Sequence, residues 1–167
     1  MDMSNKFKAL PIGRNHQCFG CSQSNTAGLK MSFATDGESV VSALKVPGHL
    51  CGWDNLVHGG VIATILDEVM SWSAIHLLKK IILTKAVSIE FIKPVFIDKP
   101  LTAKGRVIDV TGRREALMEG VITNDNNQIC AKSQGTFVLF TPEVAKRLKM
   151  MDAEALNTFL GIINGAG

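Results

Sequence analysis

The sequence predicts an α+β domain in which one long central helix is wrapped by a curved antiparallel sheet. Residues 60–78 are apolar almost all round, so a helix over them must be buried on most of its sides. Four strand-like segments follow with no helical pattern between them, and a hairpin precedes the helix. A sheet of about six strands around a single helix is the arrangement that buries this apolar surface.

The composition narrows the class of protein. Hydrophobic residues make up 46% of the 167 positions and charged residues 20%, which excludes a disordered chain and a collagen. The net charge of +3 is too small to predict a nucleic-acid partner, and four cysteines are few for a disulfide framework. We find no secretory signal and no uninterrupted apolar run of about 18 residues. We therefore expect a cytoplasmic protein with free thiols and without a membrane span.

The strands before the helix are predicted to form a hairpin that follows an N-terminal loop segment, residues 1–28. Apolar and polar residues alternate over 29–33, which is the pattern of a half-buried strand. The pair Asp36–Gly37 is typical of a tight turn, and the apolar run 40–46 provides the returning strand.

The strands after the helix are predicted to be antiparallel neighbours, separated by prolines, glycines and an Asn-Asp-Asn-Asn turn. They cover residues 81–92, 101–110, 115–124 and 129–140. The main domain then spans 29–140, and a helical tail covers 141–167, with Pro142 in a first helical turn and Asp152 as the cap of a second helix. Such a sheet has an open edge, where we expect two subunits to pair.

The start of the long helix carries the residues that are most capable of chemistry. Gly59 and Gly60 stand where backbone amides lack partners and the helix dipole is positive, so they can hold a carbonyl oxygen or an anion. Two turns later, Asp67 places a carboxylate in an apolar helix, which is costly unless it faces an opening or finds partners.

Each of these residues also has a structural explanation. His58 would then cap a loop, the glycine pair would allow close packing, and Asp67 would be satisfied by the backbone or by Thr64. Taken together, they predict a site between the helix and a neighbouring strand or subunit.

The residues around the start of the long helix form part of a longer pattern. It consists of Cys18-Phe19-Gly20-Cys21, Asn25, Gly28-Leu29, the run Gly52-Trp53-Asp54-Asn55-Leu56-Val57-His58-Gly59-Gly60, Asp67, and Phe91-Ile92-Lys93-Pro94. From Cys18 to Phe140 the chain resembles the hotdog-fold acyl-CoA thioesterases of the PaaI-like and THEM4-like branch. The order of elements in that fold agrees with a helix inside a sheet.

The resemblance implies an enzyme that hydrolyses an acyl-CoA thioester to the free acid and coenzyme A without a metal or organic cofactor. In similar enzymes an acid on the central helix is the general base or the nucleophile, and Asp67 stands in that place. The amide of Gly59 would hold the thioester carbonyl, and His58 would hold its loop. Thr84 matches a hydroxyl residue that orients the attacking water from the partner subunit.

Further residues are implied at the rim of this site. Some relatives carry an amide side chain six residues before the histidine, where this chain has Gly52, so Asn55 is the candidate substitute. Gly60 is expected to contact substrate. Lys93 and Arg113 are expected to bind the phosphates of coenzyme A, although a solvated surface charge explains each of them equally well. The acyl pocket is expected to depend on the packing of Met70, Trp72 and Phe91.

Two remaining features have alternative explanations. Cys18 and Cys21 would form half of a zinc site if His49 and Cys51 supplied the other half, but a single CxxC pair is a weak signal, and we expect loop cysteines and no metal. Glu68 points about 100° away from Asp67 around the helix, so it cannot share the role of Asp67, and we expect it to be structural or solvent-linked.

The fold and the resemblance also imply an oligomeric state and leave rival functions open. We expect a dimer or a dimer of dimers. The rival functions are a non-catalytic acyl-CoA-binding or regulatory protein and an enoyl-thioester hydratase or dehydratase of the same fold.

Overall fold

The computed structural model describes residues 6–13 and 16–165. The strands are β1 (Lys8–Ala9), β2 (Ala34–Thr35), β3 (Val40–Leu44), β4 (Cys51–Trp53), β5 (Leu56–Val57), β6 (Ile81–Phe91), β7 (Leu101–Thr111), β8 (Glu115–Asn124) and β9 (Ile129–Phe140). The helices are α1 (Gly59–Leu78), α2 (Pro142–Arg147) and α3 (Ala153–Ile163). The order from β3 through α1, β6–β9 and the two tail helices is the predicted one, whereas β1, β4 and β5 lie in segments that the sequence predicts to be loops.

A seven-stranded antiparallel sheet forms the body of the molecule. Its strand order is β1-β2-β3-β7-β8-β9-β6, while β4 and β5 form a separate two-stranded ribbon. The sheet exceeds the predicted six strands because the two-residue β1, which lies in the segment expected to be a loop, pairs with β2. The long strand β6 is the last in the order, so one of its edges is unpaired among residues 6–13 and 16–165.

The sheet wraps around α1, as predicted. The side chains of Ile65, Leu66 and Val69 are wholly buried against it. Gly105 on β7 permits this close approach, since a Cβ atom there would lie 2.4 Å from the carbonyl oxygen of Val69. By length and apolarity alone α1 could cross a membrane, but the core helices of globular proteins meet the same criterion.

The first hairpin is shorter than the sequence predicts. Strand pairing before the turn is limited to β2, although Met31 and Phe33 are buried as the alternation indicates. The amides of Leu29 and Met31 donate instead to the carbonyls of Phe19 and Gly20. Residues 29–33 are therefore bound to the N-terminal segment, with Lys30 in the left-handed region at φ 51°. Local periodicity does not reveal this long-range partner.

The helical tail follows the prediction. Thr141 caps α2 and Asp152 caps α3, each through a side-chain oxygen that accepts a backbone amide. Leu156 and Ile163 of α3 are buried against the rest of the molecule.

Candidate functional site

The N-terminus of α1 leaves one backbone amide free. The Nδ1 atom of His58 caps the helix by accepting the Gly60 amide at 2.9 Å, and the carbonyl of His58 accepts Val61 and Ile62. Within the described residues the amide of Gly59 donates to no group, and Gly59 is exposed. Gly59 is thus the available donor, while the amide of Gly60, predicted to bind substrate, is occupied.

The loop before α1 is fixed to the segment after β6. The amide of Val57 donates to the carbonyl of Val95 at 2.9 Å, and the amide of Ile97 donates to the carbonyl of Asn55 at the same distance. The side chain of Asn55 is exposed in the turn between β4 and β5 and has no hydrogen-bond partner in the described part of the chain. Asn55 thus anchors the loop through its backbone and leaves its amide group free.

Asp67 meets a hydroxyl group on the edge strand. The Oγ1 atom of Thr84 on β6 donates to Oδ1 of Asp67 at 2.8 Å. Burial raises the pKa of the Asp67 carboxyl, and the hydrogen bond from Thr84 opposes this rise. The resemblance places the hydroxyl on a partner subunit, whereas this contact lies within one chain.

A cavity of about 390 Å³ opens beside this pair. Helix α1, strand β6 and the loop around Cys18 each contribute to its wall. It is lined by Cys18, Phe19, Gly20, Ala63, Thr64, Asp67, Glu68, Val87 and Ile89. The Asp67 carboxylate therefore stands in a mostly apolar depression, as the cost of placing it in this helix predicts.

Glu68 turns away from Asp67 towards the N-terminal loop. Its Oε1 atom accepts the Cys18 thiol at 3.3 Å. A Cβ atom on Gly20 would lie 2.3 Å from the Glu68 side chain, so a larger residue there would force that side chain to move. Burial, assisted by the nearby Cys18, raises the pKa of Glu68 to about 8. The predicted structural role is consistent with this contact.

Cys18 and Cys21 face each other beside Glu68. The Cys21 thiol and the backbone amides of Cys21 and Gly20 donate to the Cys18 sulfur; against the opposing effect of burial, they lower the pKa of Cys18 to about 5. The same pairing and burial raise the pKa of Cys21. His49 and Cys51 are not part of this cluster, so the zinc arrangement considered from the sequence does not form.

The two predicted phosphate-binding residues lie far apart in one chain. Arg113 is in the β7–β8 turn, which lies level with Leu83 at the start of β6, with β9 between β8 and β6. Lys93 follows Phe91 at the other end of β6. Eight residues of strand separate these ends, roughly 26 Å. Both cations are exposed and form no ion pair among the described residues.

A second cavity, of about 800 Å³, lies on the other side of Glu68 under α3. Its lining includes Trp72, Ile75, Phe159 and Ile162. The second cavity could not be predicted from the sequence, because no local pattern shows where the amphipathic helix α3 packs.

The residues predicted to shape the acyl pocket have three different environments. Trp72 lines the second cavity and stacks on Phe33 with 5.1 Å between ring centroids. Met70 is wholly buried in the core and lines neither of the two cavities. Phe91 is 57% exposed and stands close to Gly59, where a Cβ atom would lie 3.7 Å from its ring.

The comparisons with known proteins match the part of the chain that carries these residues. The model of the thioesterase superfamily matches residues 54–131. A candidate esterase of Saccharolobus solfataricus is 32% identical over 87 residues, which is 51% of this chain. The chain spans 56% of that relative's length.

Solved structures share the fold. A protein of Streptococcus pneumoniae, described as a hypothetical thioesterase and crystallised with coenzyme A, is 26% identical, with a TM-score of 0.58 over 62% of this chain and 80% of its own. A thioesterase superfamily protein, RHA08564, is 29% identical, with a TM-score of 0.62 over 68% of this chain and 56% of its own. The PaaI protein of Escherichia coli, at 20% identity and a TM-score of 0.61 over 68% of this chain and 81% of its own, shows the fold alone.

The matched segment contains the helix cap, the carboxylate and its hydroxyl partner, and it is folded as one apolar helix inside an antiparallel sheet. Residues 54–131 are similar to the thioesterase superfamily by family model, and the chain has the hotdog fold that these solved structures share.

Proposed function

We propose that the protein is an acyl-CoA thioesterase that releases a free acid and coenzyme A. The observation that carries this proposal is the Asp67 carboxylate, held by Thr84 at 2.8 Å in the wall of the 390 Å³ cavity. Among the similar structures, the pneumococcal protein was crystallised with coenzyme A, and its threonine-to-alanine and aspartate-to-alanine variants were also solved.

The chemistry needs a base and an oxyanion donor. Asp67 accepts a proton from water, or attacks directly as a nucleophile, while the Thr84 hydroxyl fixes the orientation of the carboxylate. As the thioester carbonyl becomes tetrahedral, negative charge develops on its oxygen, where the free amide of Gly59 stabilises it best. Collapse of this intermediate breaks the carbon–sulfur bond and expels the thiolate of coenzyme A, which takes up the proton that Asp67 accepted. If Asp67 attacks directly, the product is an acyl-Asp67 anhydride, which water hydrolyses in a second step to release the free acid. The raised pKa of Asp67 makes the carboxylate a stronger base than an exposed aspartate.

One chain places this base and this donor apart. Eight residues separate Gly59 from Asp67, about 12 Å along the helix. Gly59 lies near Phe91 at the end of β6, and Asp67 lies beside Thr84 near its start. We therefore propose that a second copy completes the site.

The edge strand supports pairing of two copies. The outer edge of β6 is unpaired among the described residues, and its exposed apolar side chains include Leu83, Val87 and Phe91. Antiparallel pairing of two β6 strands about a two-fold axis between Val87 and Ser88 would set residue 84 of one copy opposite residue 91 of the other. Gly59 of the partner subunit would then approach Asp67.

The same pairing gives the two basic residues a shared role. Arg113 and Lys93 lie at opposite ends of β6, so the two-fold axis brings Arg113 of one copy to the end of the strand where Lys93 of the other copy stands. A rim with positive charge from both subunits suits the phosphates of coenzyme A.

Thiol release from a panel of acyl-CoAs, varied in chain length and aromaticity, tests the activity. We expect release of coenzyme A with at least one member of the panel. Acyl-CoA that raises the melting temperature without release would instead indicate a binding protein. An enoyl product without free thiol would indicate a hydratase or dehydratase.

Light scattering of the purified protein tests the dimer. We expect twice the mass of one chain or a higher even multiple for the wild type. Val87→Lys should shift the mass towards one chain, because two charged side chains would meet near the axis. The exposed substitution Val110→Lys, which lies on β7, is the matched control. A wild-type monomer with full activity would contradict the shared site.

A further inference from the structure

Three ligand-forming side chains converge on the side of α1 that faces the N-terminal loop. The sulfurs of Cys18 and Cys21 and a carboxylate oxygen of Glu68 all lie within 4.8 Å of one another. Cys18 and Glu68 are in direct contact at 3.3 Å. Glu68 is 47 to 50 positions from the two cysteines along the chain, so the fold rather than local sequence brings it to them.

The distances suit a tetrahedral metal ion. Zinc binds thiolate sulfur at about 2.3 Å and carboxylate oxygen at about 2.0–2.2 Å. Around such an ion two sulfurs lie roughly 3.8 Å apart, and a sulfur and an oxygen roughly 3.5 Å apart. The observed cluster needs only small side-chain movements to reach these values.

The loop that carries the cysteines is fixed in shape. The Ser22 amide donates to the Cys18 carbonyl at 3.1 Å, which closes the turn. The carbonyls of Phe19 and Gly20 accept the amides of Leu29 and Met31. These hydrogen bonds hold both cysteines in place beside α1.

Glu68 lacks any other partner that would explain its burial. Its one hydrogen bond in the described part of the chain is to Cys18, and no lysine, arginine or histidine forms an ion pair with it there. A cation beside this carboxyl group would stabilise it in its partly buried position. Gly20 leaves room for the Glu68 side chain, since a Cβ atom there would overlap it.

We propose that Cys18, Cys21 and Glu68 bind one zinc ion, with the fourth position facing the second cavity and open to water. Cys18, Cys21 and Glu68 all line that cavity. Zinc is favoured over calcium or magnesium because two of the three ligands are thiolates. The ion ties the N-terminal segment to the turn of α1 that carries Asp67.

Metal content measured by mass spectrometry tests this site. The full chain is expressed in zinc-supplemented medium and desalted without chelator, and we expect close to one zinc per chain. Cys21→Ser and Glu68→Gln should each lose most of the metal. Cys51→Ser, which changes an exposed thiol outside the cluster, should retain it.

Cobalt substitution in the wild type provides a readout that does not depend on the folding of a variant. After removal of zinc by a chelator, added Co²⁺ should produce a thiolate-to-cobalt charge-transfer band, which stoichiometric zinc then abolishes. The melting temperature should fall with the chelator and recover with zinc.

Two results would overturn the proposal. One is a wild-type protein with far less than one zinc per chain and no charge-transfer band with cobalt. The other is equal zinc retention in the wild type, Cys21→Ser and Glu68→Gln. Both readouts are independent of thioester hydrolysis, so a negative result for the zinc site would not contradict the proposed activity, and the reverse also holds.

Discussion

Thr84 and Asp67 join the edge strand to the central helix through a 2.8 Å hydrogen bond between the threonine hydroxyl and the carboxylate. The contact uses one of the two carboxylate oxygens and leaves the other for water or substrate. It also fixes the side chain of a half-buried acid that no other hydrogen bond holds in the described part of the chain.

Removal of the hydroxyl should slow the reaction without unfolding the protein. Thr84 is exposed, so Thr84→Ala leaves no cavity in the core. We expect kcat to fall about tenfold, which corresponds to the loss of one hydrogen bond to a charged group. Thr84→Ser should restore most of the rate, and steady-state kinetics on the best acyl-CoA of the panel measure both. Equal rates for Thr84→Ala and Thr84→Ser would show that the hydroxyl is not used.

The free backbone amide of Gly59 at the start of α1 should be needed for catalysis. In Gly59→Ala the new Cβ atom would meet the Phe91 ring at an ordinary distance of 3.7 Å, so folding should be unaffected. The methyl group would obstruct a carbonyl oxygen that approaches the amide, and we expect kcat/KM to fall at least about tenfold. Gly48→Ala, in which the nearest atom lies 3.8 Å away, is the matched control. Unchanged kinetics in Gly59→Ala would remove Gly59 from the mechanism.

The turn at Asp36 predicts a pH dependence of stability. Burial alone would raise the pKa of Asp36, but hydrogen bonds from the Ser39 side chain and the Ser39 and Glu38 amides outweigh it and lower the pKa to about 2. A lowered pKa means that the ionised form stabilises the fold above the ordinary value of 3.8 and loses this effect as pH falls towards 2.

Asp36→Ala should therefore lower the free energy of unfolding at pH 7 by about 1 kcal/mol. The difference from the wild type should shrink as pH falls from 4 to 2. Urea unfolding at several pH values measures it, with Asp54→Ala, a change at an exposed position, as the control. A difference that stays constant down to pH 2 would contradict the role of the ionised carboxylate.

The sequence predicts the elements well because their signals are local. The continuous apolar run of α1, the turn residues of the β8–β9 hairpin and the capping side chain of Asp152 all act within a few positions. The prediction that Asp67 meets a neighbouring strand also rests on a local fact, the cost of a carboxylate in an apolar helix.

The parts that the sequence does not predict depend on distant contacts. Residues 29–33 pair with the Cys18 loop rather than with a strand. Glu68 lies against Cys18 and Cys21, so the CxxC pair finds its third ligand on α1 and not at His49. Met70 faces the core because of the way α1 is rotated about its axis within the sheet. Periodicity cannot predict this rotation for a helix that is apolar on all sides.

The central claim, that Asp67 drives thioester hydrolysis, is tested most directly by the rate of thiol release in Asp67→Asn. Asparagine keeps the size of the side chain and can still accept the Thr84 hydrogen bond, but it cannot take a proton from water. We expect kcat to fall at least about 100-fold. The fold should be intact, since loss of a half-buried charge does not destabilise it. Asp109→Asn, the same change at an exposed position, should keep the wild-type rate. Wild-type thiol release by Asp67→Asn would contradict the account.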